Sequence, residues 1–161
     1  MLEIAALEDH FDQELGPHTR RWGYFQAFAR TELLMRLFDH RVPRWERLSF
    51  RALVPFVKPL MRRGMKIDPA SVERSIIRIQ SVFDAVGTLL ADGRSFLVGS
   101  RPSAADITFA SLASPVLGLE EMEIAYPRPD DLPADAAAFM RRLQAHPAGH
   151  FARRMYRSHR R

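Results

Sequence analysis

Val72, Ile76, Ile79, Phe83, Val86 and Leu90 recur at spacings of four, three, four, three and four. Only the 3.6-residue turn of an α-helix brings residues so spaced onto one face, and a stripe of six large apolar side chains must be buried by other elements. Asp68 followed by Pro69 supplies an N-cap and a first-turn proline. Gly93, in "DGRSF", supplies the left-handed stop. The spacing therefore predicts one long helix from about residue 69 to just before that glycine.

Elsewhere helical spacing dominates and alternating β-branched runs are nearly absent, so the chain reads as all-α. Residues 2–15 place Ile4, Leu7, Phe11 and Leu15 on one face before "LGP" interrupts them. A second helix, from Pro17, puts His18, Trp22, Phe25 and Ala29 on one stripe and Tyr24 and Phe28 on a neighbouring one, which implies two contact surfaces. Residues 31–42 continue helical through Leu33, Leu34, Leu37 and Phe38, with a bend at Pro43. In residues 52–67, Pro55 and Pro59 predict short helical pieces packed on the core. Residues 117–133 read as a surface loop. Asp135 to Ala145, with Phe139, Met140 and Leu143 inward, and a last helix from about Ala148 complete the set. A length of 161 residues and a 47% hydrophobic content suit one domain spanning 1–161.

The stretch "RPSAADITFA", residues 101–110, opens an otherwise apolar helix with a serine and an aspartate. A carboxylate in apolar surroundings has to be paired or hydrogen-bonded. With Ser103 as N-cap, Asp106 falls at the third helical position, the spacing of a capping box in which serine and acid satisfy each other's backbone donors. Pro102 and Ile107 occupy the two positions of a hydrophobic staple. With Phe109, Leu112, Ala113 and Val116 the helix is apolar nearly all round, which places it at the centre of a bundle. Asp106 is thus a structural residue in this reading.

Composition narrows the function. There are no cysteines, so disulfides, thiolate metal sites and cysteine nucleophiles are excluded together. No run of eighteen uncharged apolar residues occurs, and the N-terminus is acidic and amphipathic where a secretory signal would be basic, then apolar. The expectation is a soluble cytoplasmic protein with no membrane partner. The formal charge of +5 is arginine-rich and partly local to "RRMYRSHRR", but no nucleic-acid motif accompanies it, so no nucleic acid is expected. His146 and His150 have the spacing of a helical metal pair, yet Pro147 lies between them and no third ligand is evident, so no metal is expected. No strained nucleophile turn supports a hydrolase triad.

"FLVGSRPSAADITFASLASPV" resembles the loop and buried helix of glutathione S-transferases, whose all-helical C-terminal domain carries a Ser/Thr-x-x-Asp box and staple. "ALEDHFDQELGPHTRRWGYF" is similar to the first helix of that domain, and "QAHPAGHFARRMYRSHR" to its closing helix. The resemblance implies a helical bundle around a central buried helix. It also implies a homodimer in the complete enzyme, glutathione as co-substrate and a hydrophobic electrophile as acceptor. The thiol is activated in that family by a thioredoxin-like domain that this sequence lacks, so no catalytic residue carries over, and the isolated chain is expected to be nearly silent and to bind no cofactor. By position the resemblance makes His18, Arg21, Trp22 and Phe25 the electrophile-binding candidates, although Trp22 and Phe25 at helical spacing are ordinarily core residues. The alternative is a stand-alone, non-enzymatic protein-interaction module with the same fold.

Overall fold

The computed structural model describes residues 2–29, 33, 44–64, 66–119 and 126–159, and its regular elements among these are seven α-helices and two 3-10 turns, with no strand. In chain order they are α1 (Leu2–Glu14), α2 (Gly16–Ala29), α3 (Arg44–Gly64), α4 (Pro69–Leu89), α5 (Ala104–Leu117), α6 (Ala134–Ala145) and α7 (Pro147–His159). The all-helical reading holds.

Helix α4 is the predicted stripe. Val72, Ile79, Phe83 and Val86 are buried, and Ile76 and Leu90 pack at the edge of the core. Asp68 caps it: Ser71 N–H donates to Asp68 Oδ1 at 2.9 Å and the Ser71 hydroxyl to Oδ2 at 2.7 Å. The chain tightens into a 3-10 turn at 90–92 and stops at Gly93, whose φ of 83° needs a residue without Cβ.

Helix α5 lies at the centre, packed on α1, α2, α6 and α7. Its Phe109, fully buried, is the hub of four phenyl rings drawn from four helices, with centroids 5.3 Å from Phe11, 5.5 Å from Phe83 and 6.1 Å from Phe151. Such tilted pairs add to burial about 0.5–1.5 kcal/mol each. Pro115 lacks the amide that would bond the Ser111 carbonyl. The Ser114 hydroxyl donates to that carbonyl instead, at 2.7 Å, and the helix continues to Gly118, its left-handed C-cap.

Leu15 is the break between α1 and α2, and Ile4, Leu7, Phe11 and Leu15 face the core as expected. On α2, Trp22 enters the main core while Phe28, with Ala27, joins a second cluster containing Val54 and Ile67. The two stripes do meet two surfaces, although Ala29 is exposed. The predicted helix over 31–42 lies outside the described residues apart from Leu33, which is helical and buried.

Two expectations need correction. Helix α3 is continuous through Pro55 and Pro59, and among its described side chains only Val54 is buried, with Met61 packed beside it, while Leu53, Phe56 and Leu60 are exposed. The prolines are four residues apart, so they share one side of the helix, and both are exposed. The carbonyl that Pro59 leaves without an amide is that of Pro55, an exposed residue, so water can bond it, which offsets part of the usual penalty. The connection from 117 to 133 is not simply a surface loop. Residues 120–125 lie outside the description, but Leu119, Pro127 and Leu132 are buried. Gly118 (φ 54°) makes this possible, since a Cβ there would come within 2.7 Å of the Pro127 carbonyl oxygen.

Candidate functional site

Helix α2 carries all four candidate residues, and two of them, His18 and Arg21, lie on the side that meets α4, its extensive partner. His18 and Arg21 converge there on Ser75, a hydroxyl with no exposure. Ser75 Oγ donates to the Ser71 carbonyl at 2.8 Å, so its proton is used and its lone pairs accept. Arg21 Nη1 donates to it at 3.0 Å, and His18 Nδ1 lies at 3.0 Å. Nδ1 also lies 3.4 Å from Arg21 Nη1, so the ring donates to Ser75 in one tautomer and accepts from Arg21 in the other. Burial, and then the Arg21 guanidinium, hold His18 below its ordinary 6.5, with Arg78 adding to this and Glu14 opposing it. The imidazole is therefore neutral at physiological pH, and half-exposed. A neutral nitrogen base beside a guanidinium can accept a hydrogen bond and orient a polarised group.

Trp22 is not part of this cluster. Its side chain is 1% exposed, packed 5.7 Å from the Phe139 ring of α6, so it cannot touch a ligand without opening the core. Its place in the stripe with His18 misled because a helix face about 100° wide reaches two neighbours at once. Its Nε1 is buried without a hydrogen-bond partner among the described residues. Phe25 is half-buried and packs against both apolar clusters.

A second polar seam runs along the other edge of α2 and escaped sequence reasoning. The Tyr126 phenol hydrogen-bonds the Ser114 side chain and is raised above its ordinary 10.0, chiefly by burial; Tyr156, Tyr24 and Arg20 are close enough to act on it. A signal existed for Ser114, since a serine preceding a mid-helix proline is suited to bond the carbonyl that the proline frees. None existed for Tyr126, which lies beyond a long connection.

The loop between α4 and α5 is tied down at three points. Arg94 Nη1 donates to the Leu97 carbonyl at 3.2 Å, and Arg154 of α7 to the Ser95 carbonyl at 2.6 Å. The third point is Asp106, fully buried, within the capping box. Its Oδ2 accepts from Ser103 N–H at 2.6 Å and from the Ser103 hydroxyl at 2.5 Å, while Oδ1 accepts from Leu97 N–H at 2.7 Å. The carboxylate therefore reaches beyond its own helix turn, which the box alone does not require. Pro102 is exposed and Ile107 is 58% exposed, so the two staple positions gain little burial.

His146 terminates α6 in an extended conformation. Its Nδ1 accepts from Ala148 N–H at 3.2 Å, and Nε2 faces Asp84 Oδ1 at 3.3 Å. It serves as a cap for α7. No group of three metal-binding side chains occurs among the described residues, and no helix among them is long and apolar enough to cross a membrane. An open apolar groove of about 450 Å³ lies between the N-terminal ends of α1 and α5, lined by Leu2, Ile4, Ala5, Glu8 and Ala104.

Residues 69–128 match the family model described as glutathione S-transferase, C-terminal domain. No curated protein and no solved structure gives a significant match to the chain.

Proposed function

We propose that this chain is the electrophile-holding half of a glutathione S-transferase, because residues 69–128, comprising α4, the pinned loop and the buried α5, match the model of that family's C-terminal domain. The observation that carries the proposal is the half-exposed seam of His18 and Arg21 against Ser75, with Phe25 one turn along, on the helix next to the matched segment. In this reading Phe25 offers the apolar wall of an acceptor pocket. Arg21 and the neutral His18 bind and orient the electron-poor end of the acceptor. Trp22 is withdrawn from the substrate-binding set and fixes the position of α2 from within the core.

Glutathione itself does not fit the residues present. Every regular element described is helical, so its peptide backbone meets no strand edge, and of the two guanidiniums near the seam Arg78 is already paired with Glu14 at 3.5 Å. Thiol activation is accordingly assigned to a thioredoxin-like domain, and this chain's share is to bind the acceptor and exclude water.

The test is amide and side-chain NMR of the 161-residue chain during titration with 1-chloro-2,4-dinitrobenzene, without and with glutathione. Shifts confined to His18, Arg21, Phe25 and Ser75, unaffected by glutathione, are expected. Shifts elsewhere, or none, would favour an interaction module; retention on immobilised glutathione would overturn the division of labour.

A further inference from the structure

Helix α3 carries six basic residues, Arg44, Arg47, Arg51, Lys58, Arg62 and Arg63, against one acid, Glu46. Its formal charge of +5 equals that of the whole chain, so the other 140 residues, with 18 basic and 18 acidic side chains, balance. Helix α3 is thus one of two strongly basic segments, the other being residues 153–161 with five arginines and no acid.

Over residues 53–64 the same helix is only partly covered. Val54 joins the second cluster with Ala27, Phe28 and Ile67, and Met61 packs at its edge. Leu53, Phe56 and Leu60 remain 53, 76 and 72% exposed. Spacings of three and four residues put those three on one stripe. Lys58 and Arg62, four apart, share a different side, and Arg62 and Arg63 are exposed.

We propose that α3 is an interfacial helix which lays Leu53, Phe56 and Leu60 into the surface of an anionic lipid bilayer, with its arginines and lysine among the headgroups. A helix with Leu and Phe on one side and Arg and Lys on another lies in the plane of a membrane instead of crossing it, held jointly by apolar burial and by anionic lipid. The expectation of no membrane contact rested on the lack of a spanning segment, which does not bear on a helix lying flat. Charge discriminates between occupants. A two-fold contact through this stripe would set two +5 helices against each other. Nucleic acid would take up the arginines and leave Phe56 and Leu60 in water. A bilayer with acidic headgroups accommodates both faces of α3 at once.

The test is co-sedimentation of the 161-residue chain with phosphatidylcholine vesicles, pure or containing about one-third phosphatidylglycerol, at roughly 0.1 M salt. Binding to the anionic vesicles at least about tenfold stronger than to the neutral ones is expected, weakening at about 0.5 M salt. Phe56→Ser/Leu60→Ser is expected to cut it about tenfold or more with an unchanged unfolding temperature, because both side chains are already in solvent. Arg62→Ala/Arg63→Ala should weaken binding to the anionic vesicles alone. Equal or absent binding to the two vesicle types overturns the proposal, as does a double-serine variant that binds like the parent. It also fails if light scattering finds a dimer that the double-serine variant disperses, or if heparin is bound and vesicles are not.

Discussion

Replacing Asp106 by alanine removes one acceptor group from three donors, and these do not suffer equally. Ser103 is half-buried, so its amide and hydroxyl can turn to water once the carboxylate is gone. Losing that part of the box costs what a helix cap ordinarily does, about 0.5–2 kcal/mol. Leu97 has no exposure, and its N–H, 2.7 Å from Oδ1, has nowhere to go. A buried donor left unpaired costs about 1–3 kcal/mol. Together the loss is about 1.5–5 kcal/mol, a large share of the roughly 5–15 kcal/mol that holds a domain folded. At about 2–4 °C per kcal/mol for a chain of this size, the unfolding temperature drops by about 3–20 °C. Urea unfolding gives the free energy, and hydrogen exchange separates the two parts. In Asp106→Ala the Leu97 amide should lose protection beyond the global fall, whereas Ser103→Ala should cost only about 1 kcal/mol and leave Leu97 protected. If Asp106→Ala costs less than about 1 kcal/mol, or Leu97 keeps its protection, the carboxylate is not the anchor of this loop.

The Trp22 indole N–H is buried without a partner among the described residues, so Trp22→Phe removes an unpaired donor along with some volume and should cost less than about 1.5 kcal/mol, against about 3–5 for Trp22→Ala; a loss above about 3 kcal/mol for the phenylalanine variant would mean that the N–H is bonded. Because His18 is held below its ordinary value in the folded chain, the unfolded chain takes up the proton first. Stability therefore falls as pH drops through about 6.5 and levels off once the folded imidazole also protonates. Arg21, Arg78 and Glu14 are the charges facing it, and His18→Asn should shrink the difference in unfolding temperature between about pH 7.5 and 5.5, an unchanged difference refuting the assignment. A Cβ at Gly149 would fall on the Leu143 carbonyl oxygen, where α7 leaves α6. Gly149→Ala should cost more than about 3 kcal/mol in chemical unfolding, and a neutral result would show that the α6–α7 corner yields.

The elements read correctly from sequence share one property: their signals act within a few residues. The stripe of α4, its Asp68 cap, the Gly93 stop and the Ser103–Asp106 box each depend on contacts across one helical turn. Helix α3 shows how such signals mislead. Two prolines are local breakers by rule, but whether they break depends on which side of the helix the fold leaves wet. The candidate site divided in the same way. His18, Arg21, Trp22 and Phe25 lie on one helix, as their spacing required, yet the fold sends Trp22 into the core against Phe139 and the other three to its margin.

Residue order alone dictates the all-helical class, the extent of α4, the start of α5 and the resemblance that the match over residues 69–128 supports. Packing sets the rest: His18 meets Ser75, 57 residues away, Asp106 turns its second oxygen to Leu97, and Leu53, Phe56 and Leu60 remain uncovered. The reason is physical. Periodicity and capping are set by the geometry of a single turn, whereas a hydrogen bond between helices, or the lack of cover on one, depends on how whole faces pack.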